Sequence, residues 1–94
     1  MELNLVFFVV SIAKGCTVMC TVNTKSVADC QAVCDISLKC DAWTWRKSDQ
    51  TCWFKKRTGW TPISDNNHHS GFKNQGPWFE PDTDFHGGYY VCNP

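Results

Sequence analysis

Apolar and β-branched residues are concentrated in two stretches near the start of the chain. The first, Leu3–Ala13, is apolar over about eleven residues, short of the roughly 20 that cross a bilayer as a helix. Its Val and Phe content favours a buried β-strand. A leader peptide is the alternative, but Glu2 stands where a leader carries positive charge. After Gly15, the stretch Cys16–Val22 has the β-branched content of a second short strand.

A helical pattern begins at Ser26, a residue type that often caps the first turn of a helix. Asp29 follows three residues later, which is a weaker form of the capping box because Asp stands in place of Glu or Gln. The apolar stripe that follows recurs at helical spacing and includes two thiols, Cys30 and Cys34. Residues four apart lie on the same side of a helix, so we expect both thiols to face the core.

Alternation with period two replaces the helical period at Cys40–Trp45 and places two tryptophans on one face. The polar segment Lys47–Gln50 predicts a turn, and Cys52–Lys56 returns as a second alternating strand. Together these segments predict a β-hairpin after the helix. The next segment, Gly59–Gly71, is rich in Pro, Asp, Asn and Ser and predicts a long loop.

The cysteine content narrows the class of protein. The 94 residues include seven Cys and five Trp. A domain of this size buries only about 60–65% of its unfolded surface, so disulfides formed in an oxidising compartment would supply missing stability. A zinc module is the alternative, but it needs C-x2-C pairs or spaced histidines, whereas His68 and His69 are adjacent and no C-x2-C occurs. Disulfides are therefore favoured, with one thiol left over.

Charge and residue inventory exclude several classes of function. Nine Lys and Arg balance nine Asp and Glu, which argues against a nucleic-acid binder and against steering to an acidic membrane. The three histidines lie in polar stretches and are interpreted as solvated side chains. Asp82 and Asp84 fall short of the six to eight oxygens that calcium takes. We therefore predict no catalytic residue, no cofactor and no metal site.

The middle of the chain, about residues 26–73, resembles the PAN/apple domain family. The motifs that carry the likeness are Cys30-x3-Cys34-x5-Cys40-Asp-Ala-Trp-Thr-Trp, Cys52-Trp-Phe-Lys and Ser70-Gly71-Phe72. The resemblance implies an α+β fold stapled by disulfides, in which one helix packs across a curved antiparallel sheet of about five strands.

The resemblance also implies which cysteines pair. Cys30 with Cys52 would join the helix to the hairpin, and Cys34 with Cys40 would close the end of the helix. The chain-entropy relation gives about 3 kcal/mol for the longer loop and about 2 kcal/mol for the shorter one.

Many members of the family carry a third bridge between the two ends of the domain. This chain offers Cys16 and Cys20 at its start and Cys92 near its end. We expect a bridge between Cys16 and Cys92, with Cys20 as the free thiol.

The acidic segment 80–88, EPDTDFHGG, resembles the usual beginning of a family member rather than its end. Residues 1–76 are therefore expected to form the module. Residues 77–94 are expected to be either the last strand of that module or the start of a following one.

A small basic and aromatic cluster lies at the end of the second predicted hairpin strand and the start of the predicted loop. Lys55, Lys56 and Arg57 lie between Trp53 and Trp60. A guanidinium can hold a carboxylate through paired hydrogen bonds, and a tryptophan face can stack on a sugar ring. Lys55, Lys56, Arg57 and Trp60 are thus candidate ligands for an acidic glycan. In the alternative interpretation, Lys55 is only the lysine of the family motif and Trp53 covers the sheet.

The resemblance implies an extracellular function. PAN/apple modules occur in secreted and cell-surface proteins, often as tandem repeats, and bind proteins or carbohydrates. Some belong to blood-clotting zymogens and others to adhesins released from the micronemes of apicomplexan parasites, and the expected type is such a multi-module secreted adhesin. Its partners would be a host or cell-surface protein or glycan and the neighbouring modules, with no nucleic acid and no membrane insertion. The alternative is a structural spacer that positions its neighbours and has no ligand of its own.

Overall fold

A computed structural model of the chain describes residues 21–88. Along these residues one helix and six strands follow in the order β1 (Thr21–Asn23), α1 (Val27–Ile36), β2 (Ala42–Arg46), β3 (Thr51–Lys55), β4 (Thr61–Ser64), β5 (His68–Phe72) and β6 (Thr83–His86). The expected strand Leu3–Ala13, the expected bridge between Cys16 and Cys92 and the expected free thiol Cys20 lie outside the described residues.

The strands form two antiparallel sheets. The larger has four strands in the order β1-β3-β2-β5, and the smaller pairs β4 with β6. The predicted hairpin is the β2–β3 pair, in which Trp43 lies opposite Phe54 and Trp45 lies opposite Cys52. Opposite residues of paired strands share a face, so these four side chains point to the same side of the sheet. One helix, antiparallel strands and disulfides together confirm the predicted α+β class.

Helix α1 begins where the capping pattern predicts. Ser26 is extended at the N-cap, and its Oγ accepts a hydrogen bond from the backbone N–H of Asp29 at 3.2 Å. This satisfies one of the backbone donors that a helix leaves without a partner in its first turn. Cys30 and Cys34 are fully buried, so the helix presents both sulfurs to the sheet.

Two disulfides fix the helix in place. Cys30 is bonded to Cys52 in β3, an interior strand of the larger sheet, across 22 positions of sequence. Cys34 is bonded to Cys40 just beyond the helix, across six positions. These are the two pairs that the family resemblance implies.

The core between helix and sheet is built around a tryptophan. Trp43 and Phe54 are fully buried beside the four bonded cysteines. Trp43 pairs with Gly71 of β5, and a Cβ at that glycine would lie 2.6 Å from Cζ2 of the indole. The ring therefore occupies the space that any other residue at position 71 would fill.

The smaller sheet covers the opposite face of the larger one. Thr44 and Ser70 pair across β2 and β5 on that face. The Ser70 hydroxyl donates to the carbonyl of Thr83 at 2.8 Å and accepts the N–H of Phe85 at 3.2 Å. Its single hydrogen is thus used, so the Thr44 hydroxyl is the donor in the 2.8 Å contact between the two side chains. These bonds tie β6 to the centre of the larger sheet.

The predicted loop over Gly59–Gly71 is wrong, because this segment contains β4 and most of β5. All four residues of β4 are exposed, so the strand lacks the apolar alternation that identifies strands in a sequence. In β5 the positions facing the helix side are His69 and Gly71, opposite Trp45 and Trp43. Neither residue has a large apolar side chain, so the alternation that identifies a strand is missing in β5 as well.

The segment that follows β5 packs against the rest of the fold. Glu80 and Ser70 exchange two backbone hydrogen bonds, at 3.0 and 2.6 Å. Strand β6 pairs with β4 over four residues, and Phe85 is only 2% exposed. These contacts attach Glu80 to the larger sheet and β6 to both sheets.

Candidate functional site

The loop that joins β3 to β4 holds three of the four residues proposed for ligand binding. Lys56 and Arg57 are exposed on it. The indole N–H of Trp60 donates to the Lys56 carbonyl at 2.7 Å, which closes the loop. The Trp60 ring stacks on Phe85 at a centroid distance of 3.9 Å and tilts against Phe72 at 5.7 Å. Trp60 therefore anchors the loop, and one face of its ring is already covered.

Lys55, the fourth residue, does not belong to the exposed patch. It is only 3% exposed, and its ammonium donates to the Gly87 carbonyl at 3.0 Å. Burial lowers the pKa of Lys55, while the nearby carboxylate of Asp84 opposes that effect. The prediction that Lys55 contacts a ligand is corrected on this ground. Alternation along β3 puts Lys55 on the face that β6 covers, with the side chains of Thr44 and Ser70.

Three other cations of the described residues are engaged within the fold. They are Arg46 with Asp49 at 2.7 Å, Lys47 with Asp82 at 3.1 Å and Lys73 with the Ser37 carbonyl at 2.6 Å. By contrast, the side chains of Lys56 and Arg57 make no ion pair or hydrogen bond with any residue between 21 and 88. Lys25 and Lys39 are exposed as well, but neither has a cationic neighbour in sequence.

The chemistry of this loop suits an anion. A guanidinium presents paired donors that match a carboxylate or a sulfate, and an adjacent ammonium adds a second charge. Both groups are solvated, so their attraction for an anion weakens as the salt concentration rises.

Two of the three histidines are partly buried, contrary to the prediction that all three lie in solvated loops. The ring of His69 is parallel to that of Trp45 at 6.1 Å, and its Nδ1 accepts the N–H of Asp82 at 3.0 Å. Burial, reinforced by the charge of Lys47, lowers the pKa of His69. The ring is therefore held in the neutral form that an acceptor nitrogen requires.

The other buried histidine, His68, lies on the opposite face of β5 beside two carboxylates. Its Nδ1 is 3.2 Å from Oδ2 of Asp65, and the candidate ligand atoms of Asp65, His68 and Asp84 all lie within 4.8 Å of one another. His86 adds a second imidazole, with Nδ1 3.3 Å from Oδ2 of Asp84. The Asn67 amide, and then the His68 ring, lower the pKa of Asp65.

Sequence reasoning missed this grouping for a structural reason. Asp65 and His68 belong to the segment predicted as a loop, and Asp84 and His86 belong to the tail. Pairing of β4 with β6 brings the two segments together, and neither strand had been assigned. The one local signal was the spacing of three residues between Asp65 and His68.

Comparisons with known proteins identify the family. The family model for the PAN domain matches residues 7–76, well over half of the chain. Searches of curated proteins and of solved structures found no match. Within residues 21–88, the helix is too short to cross a bilayer. The chain belongs to the PAN domain family, whose members are modules that bind proteins or carbohydrates.

Proposed function

We propose that this chain is an extracellular adhesive module that binds an anionic glycan through the loop carrying Lys56 and Arg57. Family membership supports a binding role, and the two disulfides support an oxidising, extracellular compartment. The observation that carries the ligand class is the pair of adjacent, exposed cations that have no partner within the described residues.

The anchoring of the loop favours binding further. Trp60 fixes the loop through the Lys56 carbonyl and through its stack on Phe85. A loop that is already ordered has less conformational freedom to lose when a ligand arrives, so more of the attraction appears as affinity.

Two solvated cations give only modest affinity, which fits a module that acts in numbers. Exposed ion pairs contribute about 0.2–1 kcal/mol each. Repeated modules raise the effective concentration for the second contact, so a weak single site becomes a strong multivalent one. A secreted adhesin with several such modules, released from a secretory organelle onto host or cell-surface glycans, is the setting proposed for this chain.

The test compares two double variants on an array of carboxylated, sulfated and neutral glycans. Lys56→Ala with Arg57→Ala removes both cations of the loop. Lys25→Ala with Lys39→Ala removes the same number of exposed charges elsewhere and serves as the matched control. Loss of two contacts of about 0.7 kcal/mol each predicts about a tenfold fall in affinity for anionic glycans in the first variant only.

Two results would contradict the proposal. An equal fall in the control variant would show that net charge, not the loop, governs binding. Binding restricted to neutral glycans would exclude the anionic class. A structural spacer, the alternative function, predicts no glycan binding at all and measurable contacts only with flanking modules.

A further inference from the structure

We propose that Asp65, His68, Asp84 and His86 form a site for a divalent transition metal of the zinc type. The inference goes beyond the proposed function, because it involves neither cation of the glycan-binding loop.

The donor set suits such an ion. Zinc is bound by imidazole nitrogens and carboxylate oxygens at about 2.0–2.2 Å, with four ligands around it. Ligand atoms in that geometry lie about 3.3 Å apart, and Nδ1 of His68 already lies 3.2 Å from Oδ2 of Asp65. Three candidate atoms within 4.8 Å of one another would close by up to about 1.5 Å to enclose an ion.

The nitrogen of His68 gives an independent reason to expect a ligand. Nδ1 is buried and forms no hydrogen bond with any residue between 21 and 88, although the Asp65 carboxylate is close. A buried polar atom without a hydrogen bond is costly. A cation placed between this nitrogen and the Asp65 carboxylate would give the nitrogen a partner.

The exposure of the four side chains provides an entry path. Those of His68 and Asp84 are 14% and 15% exposed, so they form the inner wall of the site. The side chain of Asp65 is 33% exposed and that of His86 is 68% exposed. An ion would reach the inner pair past the more exposed Asp65 and His86, and Nδ1 of His86 lies 3.3 Å from the Asp84 carboxylate that would bind the ion.

The position of the site indicates what the metal would do. Asp65 directly follows β4, His68 opens β5, and Asp84 and His86 belong to β6. An ion held by all four would cross-link the smaller sheet to the larger one. The Cys30–Cys52 disulfide cross-links the helix to the same larger sheet, so the metal and this disulfide would act on opposite faces.

One neighbouring cation, the ammonium of Lys55, repels a bound metal ion. The buried ammonium of Lys55 lies close enough to Asp84 that the carboxylate acts on the pKa of Lys55. The imidazole ligands of the set favour zinc-type ions over calcium or magnesium, since those two take oxygen ligands.

The experiment titrates Zn²⁺ into the oxidised full-length chain by calorimetry, after any free thiols have been alkylated so that they cannot bind zinc. We expect one ion per chain, and at least a tenfold loss of affinity in His68→Gln and in Asp84→Asn. His69→Gln and Asp82→Asn are the matched controls, since they change neighbouring residues outside the cluster, and they should keep wild-type affinity. His86→Gln, at an exposed position, provides a variant whose fold should be unaffected and should also weaken binding.

Thermal unfolding supplies a second readout. Zn²⁺ should raise the melting temperature of the wild-type chain and of both controls, and raise that of the three cluster variants by less. Three results would overturn the inference: no binding of Zn²⁺ to the alkylated chain, unchanged affinity in the cluster variants, or equal affinity for Ca²⁺ and Zn²⁺.

Discussion

Ser70 and Gly71 are neighbours in β5 that act on opposite faces of the sheet. The Ser70 hydroxyl joins β2, β5 and β6 through its three hydrogen bonds. Gly71 faces the helix side and leaves room for the Trp43 indole. The Ser-Gly pair that supports the family resemblance therefore has a physical reason at each position: one residue binds the smaller sheet, and the other admits the central ring of the core.

Gly71→Ala should destabilise the fold by about 1–3 kcal/mol, the usual cost of overpacking a core. The added Cβ would lie 2.6 Å from Cζ2 and 2.8 Å from Cε2 of the buried Trp43, neither of which has room to retreat. Chemical denaturation of the wild type and the variant measures the difference in the free energy of unfolding.

A double-mutant cycle with Trp43→Phe identifies the cause of that cost. The smaller ring frees the space beside position 71, and it also removes an indole N–H that is buried without a partner among residues 21–88. Gly71→Ala should cost less in the Trp43→Phe background than in the wild type. An equal cost in both backgrounds would show that the clash with the indole is not the reason.

Lys55 shows how far a single position can be predicted. Alternation along β3 puts Lys55 and Cys52 on opposite faces, so Lys55 lies on the face away from the helix. Strand β6 covers this face, and no local sequence pattern predicts that contact. The sequence therefore predicts the direction of the side chain but not its burial. For this reason Lys55, a buried structural lysine, was expected to be an exposed ligand-binding residue.

At the scale of elements, the helix and the hairpin could be predicted because each has a local cause. Ser26 caps the helix, and alternating aromatic residues fix the hairpin register. Strands β4 and β5 lack such a cause, since β4 is exposed throughout and β5 offers His69 and Gly71 to the core side. The cluster of Asp65, His68, Asp84 and His86 depends on the position of these strands and on the pairing of β4 with β6, so it could not be predicted either.

The turn of the hairpin carries an ion pair with a measurable effect on acid stability. Arg46 donates to both carboxylate oxygens of Asp49, at 2.7 and 3.0 Å. These hydrogen bonds hold the pKa of Asp49 well below its usual value. As the pH falls below about 4, the unfolded chain takes up this proton before the folded chain does. The stabilisation is therefore complete at neutral pH and is lost as the solution becomes more acidic.

Arg46→Gln should raise the pKa of Asp49 toward its usual value and make acid unfolding less steep. Carbon NMR of the Asp49 carboxyl group follows the titration directly. Lys47→Gln is the control, because Lys47 pairs with Asp82 and should leave Asp49 unchanged. The explanation fails if Asp49 titrates in its ordinary range in the wild type, or if the two variants behave alike.

At the scale of the molecule, two sheets and one helix share a small core, whose burial alone gives only modest stability. The disulfides close loops worth about 3 and about 2 kcal/mol in the chain-entropy relation, against a total stability of about 5–15 kcal/mol for an ordinary domain. The disulfides therefore supply a substantial part of the stability of this PAN domain, and the loop proposed to bind a glycan depends on the fold through the stacking of Trp60 on Phe85.

A disulfide map of the oxidised protein tests this account most directly. Trypsin, used without reduction at a pH low enough to prevent thiol exchange, leaves Cys30 and Cys34 together in peptide 26–39. The peptides that contain Cys40 and Cys52 should both remain attached to it. Fragmentation of that assembly between residues 30 and 34 in the mass spectrometer then separates the two bonds.

The account predicts that the Cys52 peptide stays on the half with Cys30, and that the Cys40 peptide stays on the half with Cys34. The opposite attachment, or a free thiol at any of these four cysteines, would contradict it.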